Sequence, residues 1–178
     1  MDMRKIFAKL TIFFCLILSS CLKDNIPLSN VREDYTGDEL RIDGFYYQKT
    51  SEGHINTPLY FFYRNGIKFK LNFNLENINN PADCIPELTN ERIEAHRKRQ
   101  YNWGIFKINK NEFLCEEWSP PINGNYVHTI LQTGVILSDT CFILTKFISS
   151  ETGTMNSNVL WYFYPFSPKP DSSNVYIK

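Results

Sequence analysis

Asn65-Gly66 lies between two strand-like runs. Before it, Thr57 to Arg64 is dense in aromatics: Tyr60, Phe61, Phe62 and Tyr63. After it, Ile67, Phe69, Leu71 and Phe73 alternate with polar residues up to Asn74. Both central residues of a two-residue hairpin turn need φ > 0, so Asn-Gly between such runs predicts a hairpin. The same grammar repeats along the chain. Leu40 to Lys49 precedes the hairpin, with Leu40, Ile42 and Tyr46 on one face. Asn102 to Ile108, Glu112 to Trp118, Tyr126 to Leu137, Thr140 to Phe147 and Val159 to Tyr164 follow it. Short polar turns separate most of them. Ser149 to Asn158 reads as a loop, and the Pro-containing tail Pro165 to Lys178 reads as a cover laid over the surface.

One stretch breaks the pattern. After the Asn-rich connection Leu75 to Asp83, Pro86 to Gln100 predicts a helix. Pro86 suits a first turn. Glu87 and Glu91 lie early, and the basic run at His96 to Arg99 lies late, as the helix dipole prefers. Its apolar stripe, Leu88, Ile93 and Ala95, is thin, which places the helix on the outside. The fold class expected is therefore all-β: an eight-stranded antiparallel meander barrel with one helix inserted between the third and fourth strands. Closure removes the sheet edges that otherwise invite aggregation.

Composition narrows the function classes. The chain has 178 residues, 43% hydrophobic and 15% aromatic, with 19 basic and 19 acidic residues. That supports a buried core and excludes wholesale disorder. The balanced charge argues against a nucleic-acid binder.

The N-terminus reads as an address. Arg4, Lys5 and Lys9 precede an apolar run, Leu10 to Leu18. The run is too short to span a bilayer and suits a secretory signal. Leu18-Ser19-Ser20-Cys21 follows. It resembles the bacterial lipobox, against the alternative of an ordinary signal ending at a chance cysteine. The resemblance implies cleavage before Cys21, with acyl chains on Cys21 as the membrane anchor. Leu22 in place of an Asp implies the outer membrane, facing either the periplasm or the outside. Residues 1–20 are then a lipoprotein signal peptide, 21–39 the lipidated Cys and a flexible tether, and 40–178 the barrel domain with its tail. A fully extended tether would let the domain stand well off the membrane.

Cys84, Cys115 and Cys141 remain after Cys15 leaves with the signal and Cys21 takes lipid. An odd number permits at most one internal disulfide. Cys115 and Cys141 sit among apolar strand neighbours and read as buried thiols. Cys84, in a polar connection, reads as the exposed one.

The barrel sequence resembles a lipocalin-like family of small bacterial lipoproteins. The residues that carry the likeness are Asp43-Gly44-Phe45-Tyr46, Trp103-Gly104-Ile105-Phe106-Lys107-Ile108, and Gly134-x-Ile136-x-Ser138-Asp139-Thr140-x-Phe142. The resemblance implies a fold and an envelope location, and no defined ligand.

No catalytic set is legible. The chain has no H-E-x-x-H, no G-x-S-x-G and no glycine-rich phosphate loop, and its three His are scattered. No cofactor or metal is called for, and no catalytic residue is assigned. Glu116 and Glu117 point to opposite faces of one strand and read as a charged strand end. His54 and His128 read as structural. The aromatics are the best candidates for contact: Tyr46, Phe61, Tyr63, Trp103, Phe106, Trp118, Trp161 and Phe163. Tyr and Trp bring area, few rotatable bonds and a polar tip. Core packing, a ligand-lined cavity and a partner surface all remain open for them. One aromatic set is expected to fill the barrel, the other to pack under the helix and tail or to meet a partner. The expected function is a non-catalytic interaction or structural module acting through the barrel surface on an envelope protein. The alternative is a carrier of a small apolar ligand, with inward Phe61 and Trp161 lining its cavity.

Overall fold

The computed structural model describes residues 26–72, 78–120, 127–149 and 151–178. The signal peptide and Cys21 lie outside the described residues. Eight strands follow one another: β1 (Gly44–Lys49), β2 (Ile55–Phe62), β3 (Ile67–Leu71), β4 (Trp103–Asn109), β5 (Glu112–Ser119), β6 (His128–Ser138), β7 (Cys141–Ser149) and β8 (Gly153–Pro165). Each pairs antiparallel with the next, and β8 returns to β1, so the sheet closes into a barrel. Among the described residues there is one α-helix, α1 (Asn90–Arg97), and it sits between β3 and β4 as expected. The β2–β3 hairpin forms, but its turn differs from the expected two-residue form: Asn65 does not take a positive φ, the Gly66 amide donates to the Tyr63 carbonyl, and Gly66 has φ +71°. A Cβ there would also lie 1.9 Å from the Glu33 carbonyl oxygen, so this position needs glycine twice over.

Some boundaries differ from the sequence reading. The helix is shorter than Pro86 to Gln100, because 3-10 turns flank it at Pro81–Glu87 and Gln100–Asn102. Thr89 caps its start by accepting from the Arg92 amide. Trp103 Nε1 and Asn102 Nδ2 donate to the Arg97 and His96 carbonyls at its end. β1 begins at Gly44, not Leu40. β8 begins at Gly153, so most of the stretch read as a loop is strand. Its polar residues carry little strand signal; pairing with β7, from Ser149↔Gly153 to Leu144↔Val159, holds them.

The wall has two apolar faces. Rings from strands far apart in the order meet inside the barrel: Phe62 of β2 lies 5.6 Å from Phe113 of β5 and 6.0 Å from Phe142 of β7. Tyr60 stacks on Trp161 at 4.0 Å, and Phe113 on Phe142 at 4.6 Å. Outside, Phe45, Phe61, Phe69 and Trp103 form a second buried cluster with Cys84, Leu88 and Ile93 of the helical connection. Phe166, Tyr176 and Ile177 of the tail pack on it as well. The chain thus covers the outer face of β1–β4 with its own connection and tail.

The segment before β1, read from sequence as tether, lies on the barrel from Ile26 onward. Ile26 accepts from Trp118 Nε1 at 2.8 Å. Ser29 and Asn30 bond Glu116, and Glu33 pairs with Lys107. The segment then crosses the closed end. Tyr35 donates its amide to Arg64, and buried Leu40 caps the inner cluster. Arg41 reaches the β6–β7 turn through the Asp139 carbonyl at 2.8 Å.

The cysteine reading is corrected at one position. Cys84 is fully buried in the 3-10 turn, because that turn presses its inner side onto the barrel. Burial pushes its thiol up to about 11. All three thiols are free, with Cys115 buried and Cys141 half-buried.

Two outcomes test this packing. Phe142→Ala removes a ring at the centre of the inner cluster and is expected to cost about 3–5 kcal/mol in urea unfolding. A thiol reagent is expected to leave Cys84 and Cys115 unmodified until the protein unfolds, read by mass after timed exposure.

Candidate functional site

The alternation of β3 decides what lies inside. Ile67, Phe69 and Leu71 face outward, toward the helical connection. Lys68 and Lys70 therefore face the lumen. Across the sheet, Lys68 sits opposite Gly104, and Gly104 opposite Glu117. A Cβ on Gly104 would come 2.8 Å from the Glu117 Cβ, so glycine leaves the space over which the two charged chains meet. Lys68 pairs with Glu117 Oε2, and Lys70 Nζ donates to Glu117 Oε1 at 2.9 Å. Lys68 Nζ also lies 4.0 Å from the Tyr60 ring centroid, and Gln132 Nε2 donates to Tyr60 Oη at 3.4 Å. Cys115 completes the surroundings on β5.

This cluster is sealed: Lys68 is 0% exposed and Glu117 4%. Taking an ammonium out of water disfavours its charged form. Burial pushes Lys68 down to about 8 and Lys70 well below the ordinary lysine value, which the neighbouring Lys68 charge lowers further. One carboxylate faces two buried amines, and burial works against charge on both. The stacked rings of Tyr60 and Trp161 lie beside the cluster.

Glu116, one residue away, points out and is equally buried. It accepts from the Ser29 amide and hydroxyl at 2.8 Å, and from the Asn30 amide and side chain at 2.8 and 2.9 Å. Burial alone would raise its carboxyl; these four donors hold it below its usual value. Glu116 and Glu117, read from sequence as a charged strand end, are thus both buried and partnered. They do face opposite sides, but each side has a cover. No sequence signal marked Lys68 and Lys70 as inward. The Ile-Lys-Phe-Lys-Leu run names two faces without saying which is the lumen.

The eight aromatic candidates do not converge. Tyr46, Phe106, Trp161 and Phe163 belong to the inner cluster. Tyr46 Oη donates toward the Arg41 and Asp139 carbonyls, tying the closed end together. Arg41 lies over Phe163 at 4.5 Å. Phe61, Tyr63, Trp103 and Trp118 are on the outer face under the chain's own cover. Phe61 packs against Phe45 and the tail's Phe166, so it does not line a lumen with Trp161. Lys169 of the tail donates to the Phe62 carbonyl at 2.7 Å and lies over the Tyr63 ring. His128 is buried, with Nδ1 3.2 Å from Glu151. His54 Nδ1 meets Asn79 Oδ1 at 2.6 Å.

What remains open to contact is the outer wall of β5–β8. Leu114, Leu131, Val135 and Ile143 are half-buried there, Leu160 and Leu137 are exposed, and neither buried cluster includes them. A shallow hollow of about 450 Å³ opens on this wall between Lys107, Leu114, Thr133, Val135 and Thr145. Among the described residues no helix is long and apolar enough to cross a membrane. Among them, too, no group of three His, Cys, Asp or Glu could hold a metal ion. No family model, no curated protein and no solved structure matches this chain.

Glu117→Gln leaves the buried lysines without a counter-charge and is expected to destabilise the fold by about 3–5 kcal/mol in urea unfolding. Lys68 gives the pH dependence one part of definite sign. Between pH 8 and 10 the unfolded chain keeps a proton on Lys68 that the folded chain sheds. That part raises stability with pH across the window. The three thiols, whose values burial raises, work the other way as they ionise in the unfolded chain. Lys68→Met is therefore expected to lower the slope of stability against pH between 8 and 10 relative to the parent protein in the same melts.

Proposed function

We propose that the chain is an envelope lipoprotein, acylated at Cys21 and anchored in the outer membrane, whose barrel is a non-catalytic interaction module. The observation that carries this reading is how the two faces of the wall are used. The lumen is packed with Tyr46, Tyr60, Phe62, Phe113, Phe142 and Trp161, in ring contact across the barrel. A small apolar ligand would have to displace them. The outer face of β1–β4 is spent on the chain's own connection and tail. The β5–β8 wall is left, with an apolar stripe through Leu114, Leu131, Val135, Ile143 and Leu160. A patch of this kind on a soluble face marks contact with another protein. The sealed Lys68–Lys70–Glu117 cluster serves the barrel's integrity in this reading, and the anchor supplies location.

Native mass spectrometry of the full protein, gently solubilised from its own envelope, tests it. The expected result is acyl mass on the N-terminal peptide and a stoichiometric protein partner that Val135→Glu releases. A discrete small-molecule adduct, lost on unfolding, would overturn it in favour of the carrier.

A further inference from the structure

We propose that the barrel rests on anionic lipid headgroups through one defined end, which carries the start of β4, the close of α1 and the chain's C-terminus. The inference rests on acylation at Cys21 as proposed above. Only four residues lie between Cys21 and Ile26, whose carbonyl is held by Trp118 near the end of β5. Glu116 then fixes Ser29 and Asn30 with four hydrogen bonds, so the chain is tied to the barrel from there on. The five Cα-to-Cα steps from Cys21 to Ile26 reach about 18 Å at most. The far turns lie at the other end of strands such as the eleven-residue β6, roughly 28 Å away along a tilted barrel. The lipid surface is therefore held beside the Trp118 end.

The charge at that end suits such a surface. α1 closes there, with Lys98 and Arg99 exposed beyond it. Tyr176 Oη donates to the Lys98 carbonyl, which brings the C-terminal tail alongside. Lys178 then lies beside Leu28, Arg32 and Trp118, around a hollow of about 270 Å³. Lys98 and Arg99 have no ion-pair partner among the described residues. Of the acidic groups of the helical connection and tail, Glu94 and Asp171 are taken by Arg97 and Glu87 by Arg92, while exposed Glu91 lies in the first turn of α1, at the opposite end of the helix. His96, the first of the basic run, bonds the Arg92 and Asn72 carbonyls and stays part of the fold. Two unpaired cations, Lys98 and Arg99, thus adjoin the point where the anchor leaves. Each basic group near an anionic surface strengthens binding by about fivefold.

The test reconstitutes the full acylated protein into phosphatidylethanolamine–phosphatidylglycerol vesicles that carry a headgroup quencher. A fluorophore is placed at Val175→Cys, beside Lys98, or at Leu137→Cys, on the far end, each with Cys141→Ser. The expected result is quenching at least about threefold stronger at 175 than at 137. Lys98→Glu with Arg99→Glu, or phosphatidylcholine in place of phosphatidylglycerol, should cut that contrast by at least half. Lys110→Glu at the far end should leave it unchanged. Equal quenching at both labels overturns the orientation, and a contrast indifferent to charge overturns the headgroup contact. Intact mass reports acylation separately. An unacylated protein would overturn the anchoring reading, and the same series with protein added to vesicles would then judge the basic surface by itself.

Discussion

Two adjacent carboxylates on β5 hold the two sides of this barrel together. Glu117 turns inward and gathers Lys68 and Lys70 from β3 across Gly104. Glu116 turns outward and clamps the N-terminal segment with four hydrogen bonds. Trp118, on the same outer side, fixes the segment's first described residue. Strand alternation makes this possible: neighbours on a strand must face opposite ways, so one short stretch serves the lumen and the cover at once. Breaking either contact leaves a buried charge without a partner, which costs more than the pair itself contributes.

The barrel is consequently asymmetric. One half of its wall, β1–β4, is buried on both sides, by the aromatic lumen within and by the helical connection, N-terminal segment and tail without. The other half, β5–β8, is lined inside by the same rings and covered outside only in part, where Glu116 and Trp118 lie under the N-terminal segment and Tyr162 and Tyr164 pack on the outer cluster. Such an arrangement turns a closed sheet into an object with a back and a front. The back binds the chain's own segments and, through them, sets where an anchor at Cys21 would lie. The front is free for another molecule. Cys84, Cys115 and the lysine pair are buried, Cys141 is half-buried at the start of β7, and the three histidines are spent on contacts within the fold.

Much of this was legible in the residues. The Asn65-Gly66 hairpin, the succession of strands with short turns, and the helix between the third and fourth strands follow from turn chemistry and periodicity. That two aromatic sets would divide between lumen and cover also follows, because Tyr60 to Tyr63 place rings on both faces of one strand. The errors have a common cause. Polar stretches were read as free of distant partners: Cys84's connection as exposed, the segment up to Glu39 as a tether, and Ser149 to Asn158 as a loop. Each is instead held by partners distant in sequence, namely the outer aromatic face, Glu116 with Trp118, and β7. Local composition carries no record of such partners.

The sequence by itself pointed to the fold class, because alternation and hairpin turns depend on neighbours along the chain, although closure joins β1 to β8 across the whole domain. It also determined that both faces of the aromatic strand Tyr60 to Tyr63 had to be covered. It did not determine which face is the lumen. A period-two pattern is symmetric about the sheet, and Ile67-Lys68-Phe69-Lys70-Leu71 fits either way until the barrel curls. Curling put the lysines inside, against Glu117, and the apolar residues outside, under a helix. Only the tertiary structure decided that, because curvature and cover depend on contacts between segments far apart in the chain.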